Sequence, residues 1–446
     1  MKNLKRLVPL VLAVVLVMGT VSTLHARAAG GITVTEQPAA DPDEIKIVKE
    51  SSGKTITTGT AIFKVEYFAN DSWSGKATRT WYYKTINGVT SLNSKTFFLA
   101  TSDFGKSDAM YEYLGQPTIP LGTIRVTEAQ APEGYLKSNF QLDGKITQPS
   151  NGKDAVFAWT SKAGGTIRYV ADTAYIHNDQ IKGNLKIVKR DAYEDKPLSG
   201  AGFRILDKDG KTVAEGYTDK NGEVTFKDLV YGDYSYQEFV APLGYKLDET
   251  KYPFSITENG VTVTKTQTDK RRDGTIQVKK LDTDGSAVPG AVFLLEYSTD
   301  KGGTWSPVKA RSAGDDITIG GCTSPGLKNG QLTTGTDGTA TFTGLRADSE
   351  IVYRLTETEA PEGMALLGGP IYVGTLPVKV KNLKAEDSQI IDNTAYCYTL
   401  YVTATDSSVF RLPETGGESF TFLPLAMLPA AVPIILIKRK RKECSE

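Results

Sequence analysis

Three lysines and three glutamates recur at matching places in this chain of 446 residues. Each ends a short run in which apolar and polar residues alternate, as Lys189 does after Leu185 and Ile187. Because side chains alternate between the two faces of a β-strand, the closing residue shares the apolar face and points into a core. The residues concerned are Lys49, Lys189 and Lys280, and Glu128, Glu238 and Glu357.

Burial changes the chemistry of both groups. Desolvation lowers the pKa of a lysine amine and raises that of a glutamate carboxyl group, so a buried pair can hold a neutral, nucleophilic amine beside a protonated acid. A buried salt bridge, or a lysine whose stem packs while its amine reaches water, is the simpler explanation of a single pair. Three copies indicate a shared reason, since burying either charge alone is costly.

The lysine and glutamate pairs belong to an internal repeat. In each copy the glutamate is followed by an Ala-Pro-x-Gly segment, and Gly183 and Gly274 open the second and third copies. The repeat predicts three domains, the first and third with insertions. Their expected bounds are 40–182, 183–273 and 274–410.

Composition favours an all-β chain without nucleic-acid partners. Short alternating runs separated by Asp-Gly and Asn-Gly turns are typical of the hairpins of β-sandwiches. Acidic and basic residues are equal in number, 52 each, so nothing indicates attraction to a polyanion.

Histidine and cysteine are scarce, which excludes several classes of site. His177 is the one histidine left if His25 departs with an N-terminal leader, and we expect it on a strand surface. These residues are too few to ligate a zinc ion and leave a single histidine for a Ser-His-Asp triad. We therefore expect neither metal nor cofactor. Cys322 and Cys397 could pair in an exported protein, and the sequence leaves that pairing open.

The lysine strand, the glutamate and the Glu-x-x-Ala-Pro-x-Gly motif together resemble the Cna protein B-type domains of SpaA-like pilins and surface adhesins. The resemblance covers nearly all of residues 40 to 410. It implies an all-β chain of three tandem Ig-like or prealbumin-like β-sandwiches. It also implies that each core lysine forms an isopeptide bond to an Asn or Asp on the last strand, promoted by Glu128, Glu238 or Glu357. Fixing such groups side by side supplies an effective molarity of roughly 10⁵ M or more, so no external enzyme is needed.

The partner of each lysine must lie on a final strand. In the first two copies we place it five residues before the glycine that opens the next copy, at Asn178 and Asp269. In the third copy Asp406 shares a face with Val402 and Ala404, and Asn393 is the alternative.

Both ends of the chain carry targeting signals. Residues 412–416 read Leu-Pro-Glu-Thr-Gly and precede an apolar stretch and a basic tail. This order resembles the cell-wall sorting signal of Gram-positive surface proteins, here 412–446, in which a sortase reads Leu412 and Pro413 and cleaves between Thr415 and Gly416. The apolar stretch would span the membrane only transiently. Residues 1–28 read as a signal peptide.

These features predict a cell-wall-anchored surface adhesin or minor pilin on a Gram-positive bacterium, and not an enzyme. Expected partners are sortase, peptidoglycan in covalent linkage, other pilin subunits, and an extracellular or host ligand that the sequence leaves unknown. A Tyr-Pro-Lys-Asn-like motif typical of shaft pilins does not occur in the sequence. The alternative is an exported, carboxylate-based glycan-degrading enzyme, since two acidic residues suffice for that chemistry.

Aromatic residues in the first insertion suit either ligand binding or core filling: Trp73, Trp81, Tyr82, Tyr83, Phe97 and Phe98.

Overall fold

The computed structural model describes residues 44–113, 115–148, 155–380, 388–391 and 393–405. Throughout these residues the regular elements are β-strands. Among them, no helix is long and apolar enough to cross a membrane. The predicted signal peptide, the sorting signal and Asp406 lie outside the described residues.

The strands of the first sandwich are β1 (Lys46–Ser51), β2 (Lys54–Thr55), β3 (Ile62–Phe68), β4 (Arg79–Lys84), β5 (Val89–Ser91), β6 (Phe98–Leu99), β7 (Thr101–Ser102), β8 (Gly105–Lys106), β9 (Tyr111–Tyr113), β10 (Gln116–Thr118), β11 (Gly122–Gln130), β12 (Gln141–Thr147), β13 (Val156–Ala163), β14 (Ile167–Val170) and β15 (Thr173–His177). Those of the second are β16 (Lys182–Asp191), β17 (Gly202–Asp207), β18 (Thr212–Tyr217), β19 (Glu223–Val230), β20 (Gly232–Val240), β21 (Tyr252–Ile256) and β22 (Thr262–Asp269). Those of the third are β23 (Asp273–Leu281), β24 (Val292–Ser298), β25 (Ser306–Pro307), β26 (Lys309–Ala310), β27 (Gly321–Cys322), β28 (Gln331–Thr333), β29 (Thr339–Arg346), β30 (Val352–Glu359), β31 (Ile371–Thr375), β32 (Val378–Val380), β33 (Ser388–Ile391), β34 (Thr394–Cys397) and β35 (Thr399–Thr405).

Two sheets enclose the core of the first sandwich. One has the order β14-β15-β1-β2, with β5 also pairing β1, and the other has the order β13-β12-β11-β3-β4-β6. Alternating apolar residues such as Ile47, Phe63 and Val126 are fully buried between them. The inward positions of these strands are apolar and their outward positions are mostly polar, which is why the sheets pack face to face.

The second sandwich has the fewest strands. Its sheets are β19-β16-β22 and β18-β17-β20-β21, and Leu185, Ile187 and Phe203 lie in the core between them. Its hairpin turns are stabilised by aspartates: Asp207 Oδ1 accepts the backbone N–H groups of Asp209 and Lys211. These contacts are those of Asx turns.

The third sandwich repeats this plan and adds strands. The sheet β29-β23-β35 faces the sheet β25-β24-β30-β31, with β28 also pairing β24. Two additions extend it, a β26-β27 pair and a small sheet of order β32-β34-β33 just before the final strand.

All three sandwiches share one connection. The first strand of each pairs in parallel with the last strand, as β1 with β15, β16 with β22, and β23 with β35. Neighbouring parallel strands bring residues from the two ends of a domain side by side. The fold therefore places the repeated lysines next to the end of the domain.

The described strands divide into two compact units between Ile181 and Lys182, and the second unit contains the second and third sandwiches. Within that unit, Arg346 of the third sandwich donates to Glu194 of the second at 2.5 Å. Arg271, just after β22, lies 2.6 Å from Asp191 and 3.1 Å from Glu194. The Tyr398 hydroxyl accepts the Gly244 N–H at 3.0 Å. Charged and polar groups therefore join these two sandwiches.

Candidate cross-linking sites

The repeated lysines are the most deeply buried charged residues of their sandwiches. Lys49, Lys189 and Lys280 are each 0% exposed. Glu128, Glu238 and Glu357 are no more than 3% exposed. The inward direction predicted from strand alternation is confirmed for all six side chains.

Each pair is built from two sheets. The lysine lies on the first strand of one sheet (β1, β16 or β23), and the glutamate lies on the facing sheet (β11, β20 or β30). The lysine and glutamate side chains thus meet in the middle of the core, where water is excluded.

Strand register fixes where a third residue can join. Lys49 is paired with Ile176, and Asn178 lies two residues further along β15's direction. Lys189 is paired with Gln267, and Asp269 again lies two residues further. A side chain two positions on occupies the same face of the sheet, directly beside the lysine amine.

In the first sandwich, three predicted residues come together. Lys49 Nζ donates to Asn178 Oδ1 and lies 2.9 Å from Glu128 Oε1. Asn178 Nδ2 donates to both Glu128 oxygens, at 3.1 and 3.2 Å, and Asn178 is 1% exposed. Desolvation lowers the pKa of Lys49 below its ordinary value, although the Glu128 carboxylate acts against that shift. The site therefore favours a neutral amine next to an amide carbonyl.

In the second sandwich the third residue is an acid. Lys189 Nζ lies 2.5 Å from Asp269 Oδ1 and 3.1 Å from Glu238 Oε1. Desolvation raises the pKa of Glu238 to about 8, and the nearby Asp269 adds to that shift while Lys189 opposes it. Desolvation also raises the pKa of Asp269. In a site without water, two neighbouring carboxyl groups keep one proton more readily than they both ionise.

In the third sandwich the lysine and glutamate meet in the same way. Lys280 Nζ lies 2.8 Å from Glu357 Oε1 and 2.9 Å from Glu357 Oε2. Lys280 is paired with Ala404 of β35, so the offset of two residues leads to position 406. Asp406 itself lies outside the described residues.

The alternative acceptor in the third copy, Asn393, does not lie in the core. It is exposed and adopts a positive φ of 58° in the turn between β33 and β34. That left-handed conformation is one that Asn tolerates in turns. The small sheet β32-β34-β33 precedes the final strand, which begins only at Thr399.

Other sequence expectations have clear outcomes. His177 lies on β15, with its side chain 24% exposed and its Nε2 3.2 Å from Asp179 Oδ1. Cys322 is buried as a free thiol, 3.3 Å from Ser324 Oγ, so Cys322 and Cys397 do not pair with each other. In the first insertion Trp81 and Tyr83 are core residues, 1% and 0% exposed, which favours core filling over ligand binding for them.

One set of contacts was missed by sequence reasoning. In each sandwich a backbone N–H donates to the glutamate from the residue ten positions further along the chain, as Ser138 does to Glu128 Oε2 at 2.7 Å. The constant spacing between the glutamate and the Ala-Pro-x-Gly segment was the signal that could have revealed them.

The second and third sandwiches match a known family of domains. Residues 183–271 and 274–388 match the family model described as "SpaA: Prealbumin-like fold domain". The second and third sandwiches are therefore SpaA-type prealbumin-like domains.

Relatives in sequence and structure include a protein described as an adhesin and one described as a shaft pilin. A collagen adhesin of Staphylococcus aureus is 30% identical over 47% of this chain, and the aligned part is 19% of that relative's length. Among solved structures, the Bacillus anthracis TIE protein has a TM-score of 0.42 and 20% identity, covering 81% of this chain and 50% of that one. The shaft pilin SpaA of Lactobacillus rhamnosus GG has a TM-score of 0.21 and 15% identity, covering 52% and 100%. TM-scores this low add nothing to the functional argument.

Proposed function

We propose that this chain, which carries SpaA-type prealbumin-like domains, is a cell-wall-anchored surface adhesin or minor pilin whose sandwiches cross-link themselves. The observation that carries the proposal is the repeated placement of a buried lysine against a buried glutamate, with Asn178 or Asp269 beside the amine in the first two sandwiches. The adhesin description of the Staphylococcus aureus relative supports a surface role, and it gives no support to the alternative of a glycan-degrading enzyme.

The proposed reaction forms an amide bond inside each sandwich. In the first, the neutral Lys49 amine attacks Asn178 Cγ, a C–N bond forms, and the bond from Cγ to Nδ2 breaks. Glu128 receives a proton from the amine and delivers one to the departing nitrogen, which leaves as ammonia. In the second, the Lys189 amine attacks Cγ of the protonated Asp269 carboxyl group and the bond from Cγ to its hydroxyl breaks. Glu238 takes a proton from the amine and delivers one to the hydroxyl, which leaves as water.

Glu238 fits the role of proton carrier in the second sandwich. Its carboxyl group is within reach of the Lys189 amine, and desolvation raises its pKa to about 8, so it holds a proton at neutral pH. A protonated Glu238 hydrogen-bonded to the acceptor polarises the carbonyl that is attacked. The third sandwich would use Lys280, Glu357 and, by the register of β35, Asp406.

A bond at this place has a mechanical purpose. The first and last strands carry the chain ends, so a pull on the ends is transmitted through the new covalent bond and not through the hydrogen bonds of the sheet. The bond also closes a loop of 80 residues in the second sandwich and 129 in the first, which restricts the unfolded chain as a disulfide does. A series of sandwiches cross-linked in this way suits a protein that holds a ligand under mechanical force.

The sorting signal at residues 412–446 gives the proposed route of attachment. We infer that sortase joins Thr415 covalently to peptidoglycan on the surface of a Gram-positive bacterium, after the apolar segment has held the chain at the membrane. Collagen is the ligand that the Staphylococcus aureus relative's name states, and it is the first ligand to test here. The chain matches only a fifth of that relative's length, so the ligand does not transfer by likeness alone.

Single-molecule pulling tests the mechanical role. In the ectodomain, residues 29–410, we expect the second sandwich to give no unfolding extension in the wild type. Lys189→Met, which replaces the amine by an apolar group of similar length, should restore that extension. Lys186→Met is the matched control, because Lys186 lies on the same strand but pairs with Glu223 at the surface. A wild-type chain that extends through the whole second sandwich would refute the proposed role.

A further inference from the structure

Each buried glutamate is held by a backbone N–H from the same relative position. Ser138 N donates to Glu128 Oε2 at 2.7 Å. Asp248 N donates to Glu238 Oε2 at 3.1 Å, and Leu367 N donates to Glu357 Oε2 at 3.0 Å. In all three the donor comes ten residues after the glutamate.

The lysine amine also contacts each carboxyl group. Its Nζ lies 2.9 Å from Glu128 Oε1 and 3.1 Å from Glu238 Oε1, whereas Lys280 Nζ lies 2.8 and 2.9 Å from the two oxygens of Glu357. Each carboxyl group is therefore fixed between one backbone donor and one amine. Such a group cannot rotate freely, which is the condition for passing a proton at a defined atom.

The Ala-Pro-x-Gly segment explains how the donor reaches the glutamate. In each copy the residue after the glycine donates its N–H to the proline carbonyl, at 3.1, 3.1 and 3.0 Å. The glycines Gly134, Gly244 and Gly363 have φ values of 83°, 90° and 82°. A positive φ at the third position defines a type II turn, and glycine adopts it without strain. The chain thus reverses at the same point each time.

The same segment also holds the end of the acceptor strand. In the first sandwich Leu136 N donates to Asp179 O at 2.8 Å, and Ile181 N donates to Gly134 O at 2.9 Å. Asp179 is the residue directly after the acceptor Asn178. In the second, Lys246 N donates to Lys270 O, directly after Asp269, at 2.9 Å.

We propose that the stretch from the Ala-Pro-x-Gly turn to the tenth residue after the glutamate is a positioning clamp for the cross-linking reaction. Its backbone orients the glutamate through one N–H and fixes the acceptor through the short ladder that follows the turn. This inference rests on the proposed cross-linking function. Ser138, Asp248 and Leu367 act through their main chain, as positioning residues.

The clamp has a consequence for proton transfer as well as for geometry. In the second sandwich the N–H of Asp248 favours the ionised form of Glu238, so it lowers the pKa of Glu238 against the larger, opposite effect of desolvation. Removing that N–H should have two effects at once: the carboxyl group rotates more freely, and its pKa rises. A donor with a merely structural role would leave the pH dependence of the reaction unchanged.

Replacing one peptide amide by an ester removes the N–H donor and keeps the side chain. Cell-free translation of the ectodomain, residues 29–410, with the α-hydroxy analogue of aspartate at position 248 removes the donor to Glu238. The chain is transferred after synthesis to buffers of different pH, and the Lys189–Asp269 bond is followed by peptide mapping. We expect bond formation to slow by roughly tenfold, from the loss of one hydrogen bond. The alkaline limb of its rate should move to higher pH.

Three controls keep the outcome decisive. An ester at Leu247, whose N–H does not donate to Glu238, and Asp248→Asn, which keeps the N–H, should both react as the wild type does. The Lys49–Asn178 bond in the same molecules should form at its usual rate. If the Asp248 ester prevents folding, the ester at Ser138 should slow only the Lys49–Asn178 bond.

The outcomes separate the two proposals. Formation of the Lys189–Asp269 bond at the wild-type rate in the Asp248 ester would overturn the clamp, as would a slower rate with an unmoved alkaline limb. Absence of every bond in the wild-type chain would instead overturn the cross-linking function on which the clamp rests.

Discussion

Lys189 Nζ lies 2.5 Å from Asp269 Oδ1, although 80 residues separate them in the chain. Both side chains are at most 1% exposed, and the parallel pairing of β16 with β22 brings them together. A bond between two residues so far apart in the chain, one on the first strand and one on the last, would enclose almost the whole domain.

Removing the glutamate of one sandwich should abolish one bond. We expect Glu238→Ala to leave Lys189 and Asp269 unlinked, while the first and third sandwiches react normally, because each site is enclosed in its own core. Loss of the loop constraint should destabilise the second sandwich by on the order of 4 kcal/mol. Tryptic peptide mapping and limited proteolysis measure the two effects.

Glu258→Ala is the matched control for this variant, because Glu258 is an exposed acid of the same sandwich. It should leave the bond intact. Cross-linked peptides that join Lys189 to Asp269 in Glu238→Ala would show that Glu238 is not the proton carrier.

Bond formation in the second sandwich should depend on pH with an alkaline limit near 8. The protonated form of Glu238 is the one assigned to the reaction, and burial raises its pKa to about 8. Above that pH the carboxyl group loses its proton and the rate should fall. The rate after cell-free synthesis, measured across a pH series, checks this, and a rate that keeps rising well above pH 8 would be inconsistent with an acidic role for Glu238.

The ion pair between Glu194 and Arg346 should restrain the second and third sandwiches relative to each other. Arg346→Ala is expected to broaden the distance distribution between spin labels placed one on each sandwich. Lys196→Ala removes another cation from Glu194, 2.8 Å away, but within the second sandwich, so it should leave the distribution narrow. Equal broadening in both variants would contradict this role.

The same contact should weaken in acid. The hydrogen bond from Arg346, followed by that from Lys196, lowers the pKa of Glu194 from an ordinary 4.5 to about 2. A depressed folded-state pKa contributes stability that is present above about 4.5 and lost as the pH falls through about 2. The wild-type distance distribution should therefore approach that of Arg346→Ala at the acid end of this window.

Attachment to the cell wall should depend on Thr415. We expect Thr415→Ala to leave the protein membrane-bound or shed, whereas Glu414→Ala, at the variable position of the motif, should still be anchored. Wall digestion with a muramidase should release the wild type with Thr415 as its last encoded residue. Wild-type protein found solely in detergent extracts, with Cys444 still attached, would indicate a permanent membrane anchor.

The sequence was sufficient to predict the inward direction of the repeated lysine and glutamate side chains. A strand has a period of two, so apolar neighbours such as Ile187 reveal the face that Lys189 occupies, and burial confirms it. Asp269 was found from its spacing alone, although Gln267 on its face is polar. The structure resolves that conflict, because buried Gln267 donates to Asp248 at 2.8 Å.

Long-range arrangements could not be predicted in this way. The extra sheet that contains Asn393 is an insertion, and no periodicity distinguishes an inserted hairpin from the final strand. The contact between Ser138 and Glu128 is made by a backbone group, which carries no residue-type signal. The distance between Cys322 and Cys397 likewise depends on packing that strand patterns do not encode.

The intact mass of the recombinant ectodomain, residues 29–410, tests the central claim most directly. Each proposed bond expels a small molecule, and its identity depends on the acceptor. The account predicts a mass lower than the sequence requires by one ammonia, from Lys49 and Asn178, and two waters, from the two aspartate bonds. A mass equal to that of the unmodified sequence would contradict cross-linking in all three sandwiches.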